Sequence, residues 1–454
     1  MLRDELAEFV EKTAAEFGIP GVAVGLLVDG EEVVATHGVT SLVNPQPVDR
    51  DTLFPIASVT KTFTATALMR LVSQGKVELD APVRRYVPEL QLMDEDVAER
   101  ITVLNLLNHT AGLDWNLIDT GDGDQSLAAF VGKMATLPII AAPGSRASYS
   151  QAGYNLAGRI VENVTGRPYE KAISELLLEP LELSNTVFDL DEVIIRKFAV
   201  GHNPDETGTQ RPAVPWKANQ AGERGNNPGG GAVSTVSDLL RWARFHLGTG
   251  DGLLPTEALH GMRDETVELR ASTMGDGFGI CWFRREIDGV LMIGHGGSGN
   301  GQYAELLVVP ERNFAIVSLT NAGPDGYSFN QAVVRWALEN YLGLVAHEPE
   351  PIPYDEARAR EAVGRYENDA MNLDIATDGS QVTLAVEIKP ELREASDVEM
   401  PPDLAAAPIG FLPDDEYIVT DGGLAGQRGY FGRSSEGGPI TGIDLAGRLF
   451  TRTT

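Results

Sequence analysis

Within the first 345 residues, short apolar runs that read as strands gather at the two ends, and the stretch between them repeats at helical spacing. Residues 21–39 are two such runs folded about Asp29-Gly30, a dipeptide suited to a tight hairpin turn. The device returns in residues 278–294 about Asp288-Gly289, and 302–320 pair through Glu311–Phe314. In the middle, Phe54–Ser58 leads into the apolar-periodic run Lys61–Val72, which predicts a helix from near Ser58 to a stop at Gly75. The turn-rich run Pro143–Ser150 opens a further helix, residues 330–343 read as a closing helix, and the first ten residues have an amphipathic helical pattern. Bringing the ends together gives one antiparallel sheet with helices on its faces and a mostly helical insertion. The chain is thus of the α/β class, in its α+β form.

Beyond residue 345 the pattern changes. Glu348–Tyr354 is rich in proline and acid, and short strand-like segments such as Val382–Val386 and Glu416–Thr420 then lie between glycine and proline turns. The expected layout is 1–345 as a first domain, 346–359 as a linker and 360–454 as a small antiparallel β-barrel or sandwich.

Composition narrows the partners. The 454 residues are 43% hydrophobic, enough for two cores, and 36 basic against 66 acidic residues leave a net charge of −30. Such a charge argues against nucleic acid and anionic membrane surfaces as partners. The acids spread through the N-terminal pattern, the missing apolar leader core and the lack of any run of about 20 apolar residues predict a cytoplasmic location. The seven histidines never fall at His-x-x-x-His spacing and Cys281 is single, so neither a metal site nor a disulfide framework is predicted. The glycines near Gly296 precede no Gly-Lys-Ser/Thr, and no cofactor is expected.

Three short patterns carry chemistry. Ser58 and Lys61, three apart on a helix, share a face, so that the amine can take the hydroxyl proton. Burial in an apolar first turn would lower the lysine pKa toward neutrality. A second match, Ser73 with Lys76, straddles a helix C-terminus and reads as capping. Tyr149, in Tyr149-Ser150-Gln151, could relay the proton, with Tyr154 as its competitor. In His295-Gly296-Gly297-Ser298 an apolar strand dissolves into glycines; the Ser298 N–H could join that of Ser58 in holding an oxyanion, and His295 would supply a donor or partial positive charge. His109, in Asn108–Leu113, reads as a structural, hydrogen-bonded histidine.

With these patterns the chain resembles the serine β-lactamase and penicillin-binding-protein superfamily, in its class C-like branch of esterases and D-amino-acid peptidases, over residues 8 to 342. The resemblance also rests on Pro20–Val24, Phe54–Ser58, Leu106–Leu113 and Pro228–Leu239. It implies Ser58 as nucleophile, Lys61 as its activating lysine, Tyr149 as proton relay and Ser298 as the second oxyanion donor, with His295-Gly296-Gly297 standing for the strand motif often written Lys-Thr-Gly. Gly364–Glu367 and Tyr430–Arg433 faintly resemble the lipocalin-like C-terminal domains attached to some of these peptidases.

Two residues depart from the pattern. Gln151 stands where β-lactam-processing members place an asparagine that touches the lysine and the substrate, and would make the same bonds only with a longer, more mobile arm, while His295 replaces a permanent cation. Both point away from efficient β-lactamase activity. The implied function is acyl-serine hydrolysis of a small ester or a D-residue-containing peptide or amide. Acyl transfer from the same serine, or a catalytically silent cleft that binds peptide or wall fragments, are the alternatives. The C-terminal unit would drop a loop over the cleft or mediate homo-oligomer contacts.

Overall fold

The computed structural model describes residues 2–114, 120–121, 123–205, 207–214, 216, 224–272, 274–395, 403–422 and 424–453. Eight strands make one antiparallel sheet: β1 (Gly21–Val28), β2 (Glu31–Gly38), β3 (Val267–Ser272), β4 (Gly275–Phe278), β5 (Phe283–Ile287), β6 (Val290–Gly299), β7 (Gln302–Val309) and β8 (Phe314–Thr320). Their spatial order is β2-β1-β8-β7-β6-β5-β4-β3. The two ends of this part of the chain meet inside the sheet, where β1 pairs with β8 from Val22↔Thr320 to Val28↔Phe314. Both predicted Asp-Gly hairpins form with left-handed backbone at each turn residue, φ 50° and 88° at Asp29 and Gly30 and 52° and 75° at Asp288 and Gly289. The edge pair β3–β4 is not among the predicted hairpins, since its one Asp-Gly pair, Asp276-Gly277, lies inside β4.

Five helices matter here: α1 (Leu2–Glu16), α2 (Thr60–Ser73), α3 (Gln151–Thr165), α4 (Val236–Leu247) and α5 (Asp325–Ala337). Alternation along the strands sorts the sheet's side chains into two cores. Ile293, Leu306 and Val317 pack with Phe63, Leu68 and Trp242 of α2 and α4. Val24, Met292 and Ile316 pack with Leu6 and Val10 of α1 and Phe329 and Val333 of α5 on the other face. The closing helix begins at Asp325, five positions before the expected start, because Gly326 and Phe329 are buried members of the same helix.

The C-terminal segment is a closed barrel, the first of the two expected forms. Its strands are β9 (Gly364–Glu367), β10 (Met371–Thr377), β11 (Val382–Ile388), β12 (Leu404–Phe411), β13 (Glu416–Val419), β14 (Arg428–Arg433), β15 (Ile440–Leu445) and β16 (Arg448–Arg452). Closure is made by Tyr366↔Arg452 and Glu367↔Thr451, and Tyr366, Leu373, Tyr417, Phe431 and Phe450 fill the interior. The segment expected to be a linker turns helical at Glu356, capped by the Asp355 carboxylate accepting from the Ala357 and Arg358 N–H groups. That helix drives Ala359 and Ala362 into the barrel core.

The barrel packs on the edge of the main sheet, with β14 beside β3 and the Arg270 guanidinium 5.1 Å from the centre of the Tyr430 ring. Among the described residues no helix is long and apolar enough to cross a membrane.

Candidate active site

Ser58 lies in a single 3₁₀ turn, Ala57–Val59, that winds directly into α2. Ala57 is left-handed, φ 42°, a conformation that costs a residue with a Cβ about 1 kcal/mol or more and lifts the next side chain out of the helix line. One turn on, Lys61 is fully buried. Its ammonium position touches three oxygens: Ser58 Oγ at 3.2 Å, Gln151 Oε1 at 2.9 Å and the Gly229 carbonyl at 2.7 Å.

Burial, which strips water from the charged form, brings the Lys61 pKa down to about 7, and the nearby Arg448 charge pushes the same way. The geometry then says what the neutral amine does. An amide oxygen and a backbone carbonyl can only accept, so the two amine hydrogens go to Gln151 and Gly229. The lone pair is left facing the Ser58 hydroxyl.

Tyr149 sits in the loop before α3, whose N-cap Ser150 accepts from the Gly153 N–H at 3.1 Å. Its phenol is hydrogen-bonded to the Ser58 hydroxyl, and the Lys61 nitrogen lies 4.9 Å from its ring centre. Burial pushes the phenol pKa well up, so the ring stands as a neutral O–H at ordinary pH. The competitor Tyr154 is excluded, since its hydroxyl donates to the Leu107 carbonyl at 2.9 Å. The Ser73 and Lys76 pair lies at the α2 C-terminus, with Ser73 Oγ donating to the Arg70 carbonyl at 2.8 Å.

Gln151 corrects an expectation. It is 3% exposed, and beyond its bond from Lys61 its amide donates to Asn155 Oδ1 and to the Asn226 carbonyl, each at 3.0 Å. It is thus no mobile arm but a strut, with both amide hydrogens spent inside the protein. Room for it comes from Gly229, where an added Cβ would lie 1.9 Å from Gln151 Nε2. The extra methylene relative to asparagine is thus matched by a missing side chain opposite.

β6 does not dissolve at its glycines but runs paired to Gly299↔Gln302. Its other edge is paired with β5 only as far as Gly294, so beyond that point alternate peptide groups point away from the sheet. Gly297 is pressed on the Ser58 turn: an added Cβ would stand 2.2 Å from the Ile56 carbonyl and 3.3 Å from the Ser58 nitrogen. Gly296 faces the other side, toward Glu305. The Ser298 side chain also leaves the cleft side, toward Tyr303, so only its backbone could serve Ser58.

His295 is a second correction. It is buried with its ring centre 6.0 Å from that of Tyr149, and burial with Lys61 close by brings its pKa down to about 3. The ring is neutral, so the expected positive charge is absent. Its Nδ1 lies 2.7 Å from the Gly296 carbonyl, which can only accept, so Nδ1 carries the proton and Nε2 is an acceptor rather than a donor. His109 takes the opposite tautomer, because its Nδ1 accepts the Ser150 N–H at 3.0 Å. Its ring packs 4.3 Å from that of Tyr149, so it supports the tyrosine loop as a structural residue would.

The sequence reading offered a barrel loop over the cleft as one of two roles, but not the residues that the barrel brings. The tight turn between β15 and β16 reaches the tyrosine loop: the Tyr149 N–H donates to the Gly447 carbonyl at 2.8 Å, and the Leu449 N–H to Ser148 Oγ at 3.4 Å. Arg448 follows, its guanidinium 5.1 Å from the Tyr149 ring centre. A second barrel loop arrives beside it, with the Asp369 N–H donating to Asp114 Oδ2 at 3.1 Å. No local spacing announces these contacts; the faint signal was the turn-forming Ala446-Gly447 between two strand runs.

Comparison with known proteins gives the following. The sequence profile of the family described as Beta-lactamase matches residues 6–338. Penicillin-binding protein 4 of Amycolatopsis lactamdurans is 33% identical over 355 residues, 75% of this chain and 92% of that protein. Esterase EstB of Burkholderia gladioli is 30% identical over 348 residues, 66% of this chain and 88% of its own. Among solved structures, two of SurE, one of them with D-Leu, superpose over 99% of both chains at 25% identity, with TM-scores of 0.75 and 0.72.

Proposed function

This chain belongs to the beta-lactamase family, and we propose that within it the protein is a serine acyl hydrolase that forms an ester on Ser58. The observation that carries the reading is the Lys61 environment, where two obligate acceptors take the amine hydrogens and the lone pair faces Ser58 Oγ. In the proposed sequence neutral Lys61 removes the hydroxyl proton as Ser58 attacks a carbonyl. The N–H groups of Ser58 and Ser298 hold the tetrahedral oxyanion, and Tyr149 hands its proton to the leaving group and is replenished with the one that Lys61 took from Ser58, which leaves both groups neutral again. Water attacks the acyl-enzyme by the reverse route.

The substrate class proposed is a small ester or an amide containing a D-residue. An esterase among the relatives and a D-Leu complex of a protein matched over almost its whole length both support it. Weak or absent β-lactamase activity follows from a neutral His295, which offers no charge to grip the carboxylate of a penicillin.

The test is intact-protein mass spectrometry after a fluorophosphonate and, separately, a penicillin, with Ser58→Ala as control. The expected result is a stable adduct from the first, lost in Ser58→Ala, and none from the second. A folded wild type that takes no fluorophosphonate would sink the proposal.

A further inference from the structure

We infer that Arg448, delivered by the barrel hairpin, is a positioning residue for Tyr149, so that the proton relay is completed only when barrel and sheet domain are docked. This rests on the serine hydrolase reading and extends it to a residue outside the family match.

The backbone argument comes first. Three consecutive N–H groups, those of Ser148, Tyr149 and Ser150, must each find an acceptor in a buried loop. Ser148 donates to the His109 carbonyl at 2.9 Å and Ser150 to the His109 ring at 3.0 Å, both within the sheet domain. The middle one, that of the relay tyrosine, donates to Gly447 of the barrel. The second barrel loop grips the same segment indirectly, since Asp369 holds the Asp114 carboxylate while the Asp114 carbonyl accepts from Ser150 Oγ at 2.7 Å. Two barrel loops thus fix the segment at the tyrosine itself and at the residue after it.

The charge argument is independent. Around Tyr149 stand Lys61 from α2, His109 from the loop after Leu107, His295 from β6, Cys281 from the turn before β5, and Arg448 with Asp444 from the barrel. Both histidines have pKa values lowered by burial and are neutral, and burial pushes the Cys281 thiol up to about 12. Lys61 must be neutral to act as a base. Among the described residues, the positive charge beside the phenol in that state is the Arg448 guanidinium, whose charged form is favoured by Asp444, Asp114 and Asp369 nearby. It favours the ionised form of Tyr149, and by disfavouring protonated Lys61 it raises the fraction of neutral amine present at a given pH.

The test uses full-length protein and the rate of fluorophosphonate labelling at Ser58 as a function of pH, for wild type, Arg448→Met, Arg448→Gln and Arg448→Lys. Removing the cation should slow labelling at least about tenfold and move the midpoint of the pH profile upward by about half a unit or more, with lysine restoring most of both. A purely structural role would lower the rate without moving the midpoint, and lysine would not rescue it. Wild-type rate and midpoint in the Met or Gln variant, either of which serves if the other misfolds, overturn the inference and leave the hydrolase reading standing. A wild type without label overturns both.

Discussion

Among the hydrogen-bond partners described for Lys61, two can only accept hydrogens and one can give one, and the proposed role as base rests on this inequality. Its folded pKa of about 7 lies below the ordinary lysine value, so the base-competent fraction grows as pH rises through that value. Acylation by a neutral ester should therefore fall on the acid side with a midpoint near 7. In Lys61→Met the rate should drop by about 10²–10⁴-fold and that limb should disappear, as stopped-flow measurement of the acyl-enzyme would show. A limb that survives in Lys61→Met assigns the base elsewhere. Ser58 and Lys61 were legible in the sequence because helical spacing alone puts them on one face. The state of His295 was not, because its charge depends on burial and on Lys61, which meet it only in the folded chain. Gln151 was misjudged for the same reason: its length matters only against the absent side chain of Gly229.

At the scale of elements, the site depends on how closely β6 approaches the turn before α2. Gly297 makes that contact, its Cα against the Ile56 carbonyl, so a single methyl group must push strand and turn apart. Gly297→Ala should reduce labelling of Ser58 by about 10²-fold or more through a displaced oxyanion donor, with a much smaller change in thermal midpoint. Equal loss of folding and labelling would show that the glycine serves packing alone. The hairpins were readable from Asp-Gly pairs that supply left-handed turn residues, and the barrel from the spacing of its short strands. The edge pair β3–β4 went unseen although Val267–Ser272 alternates, because its Asp-Gly pair, Asp276-Gly277, falls inside β4 and marks no turn.

For the whole molecule, the excess of 30 negative charges is spread over the folded chain, and like charges brought together on folding repel. Ion pairs such as Arg50–Glu32 and Arg365–Asp374 have exposed partners and lose strength in salt. The net repulsion is screened as well, and at this imbalance it is the larger effect. The thermal midpoint should therefore rise as sodium chloride goes from about 10 mM to about 500 mM, read by differential scanning fluorimetry. A falling midpoint would mean that the pairs prevail.

The hydrogen bond between Tyr149 and Gly447 also constrains how this molecule can have a history. An appended module is ordinarily free to be lost, swapped or lengthened at its loops, because its host does not depend on it. Here the tightest turn of the barrel ends on the loop that carries Tyr149, joining positions that lie 301 residues apart at Ser148 and Leu449. One residue inserted into that turn would withdraw the carbonyl from the tyrosine. The length of the hairpin is then tied to the Tyr149 loop, and in a chimera between two such proteins the barrel would have to travel with the loop it grips.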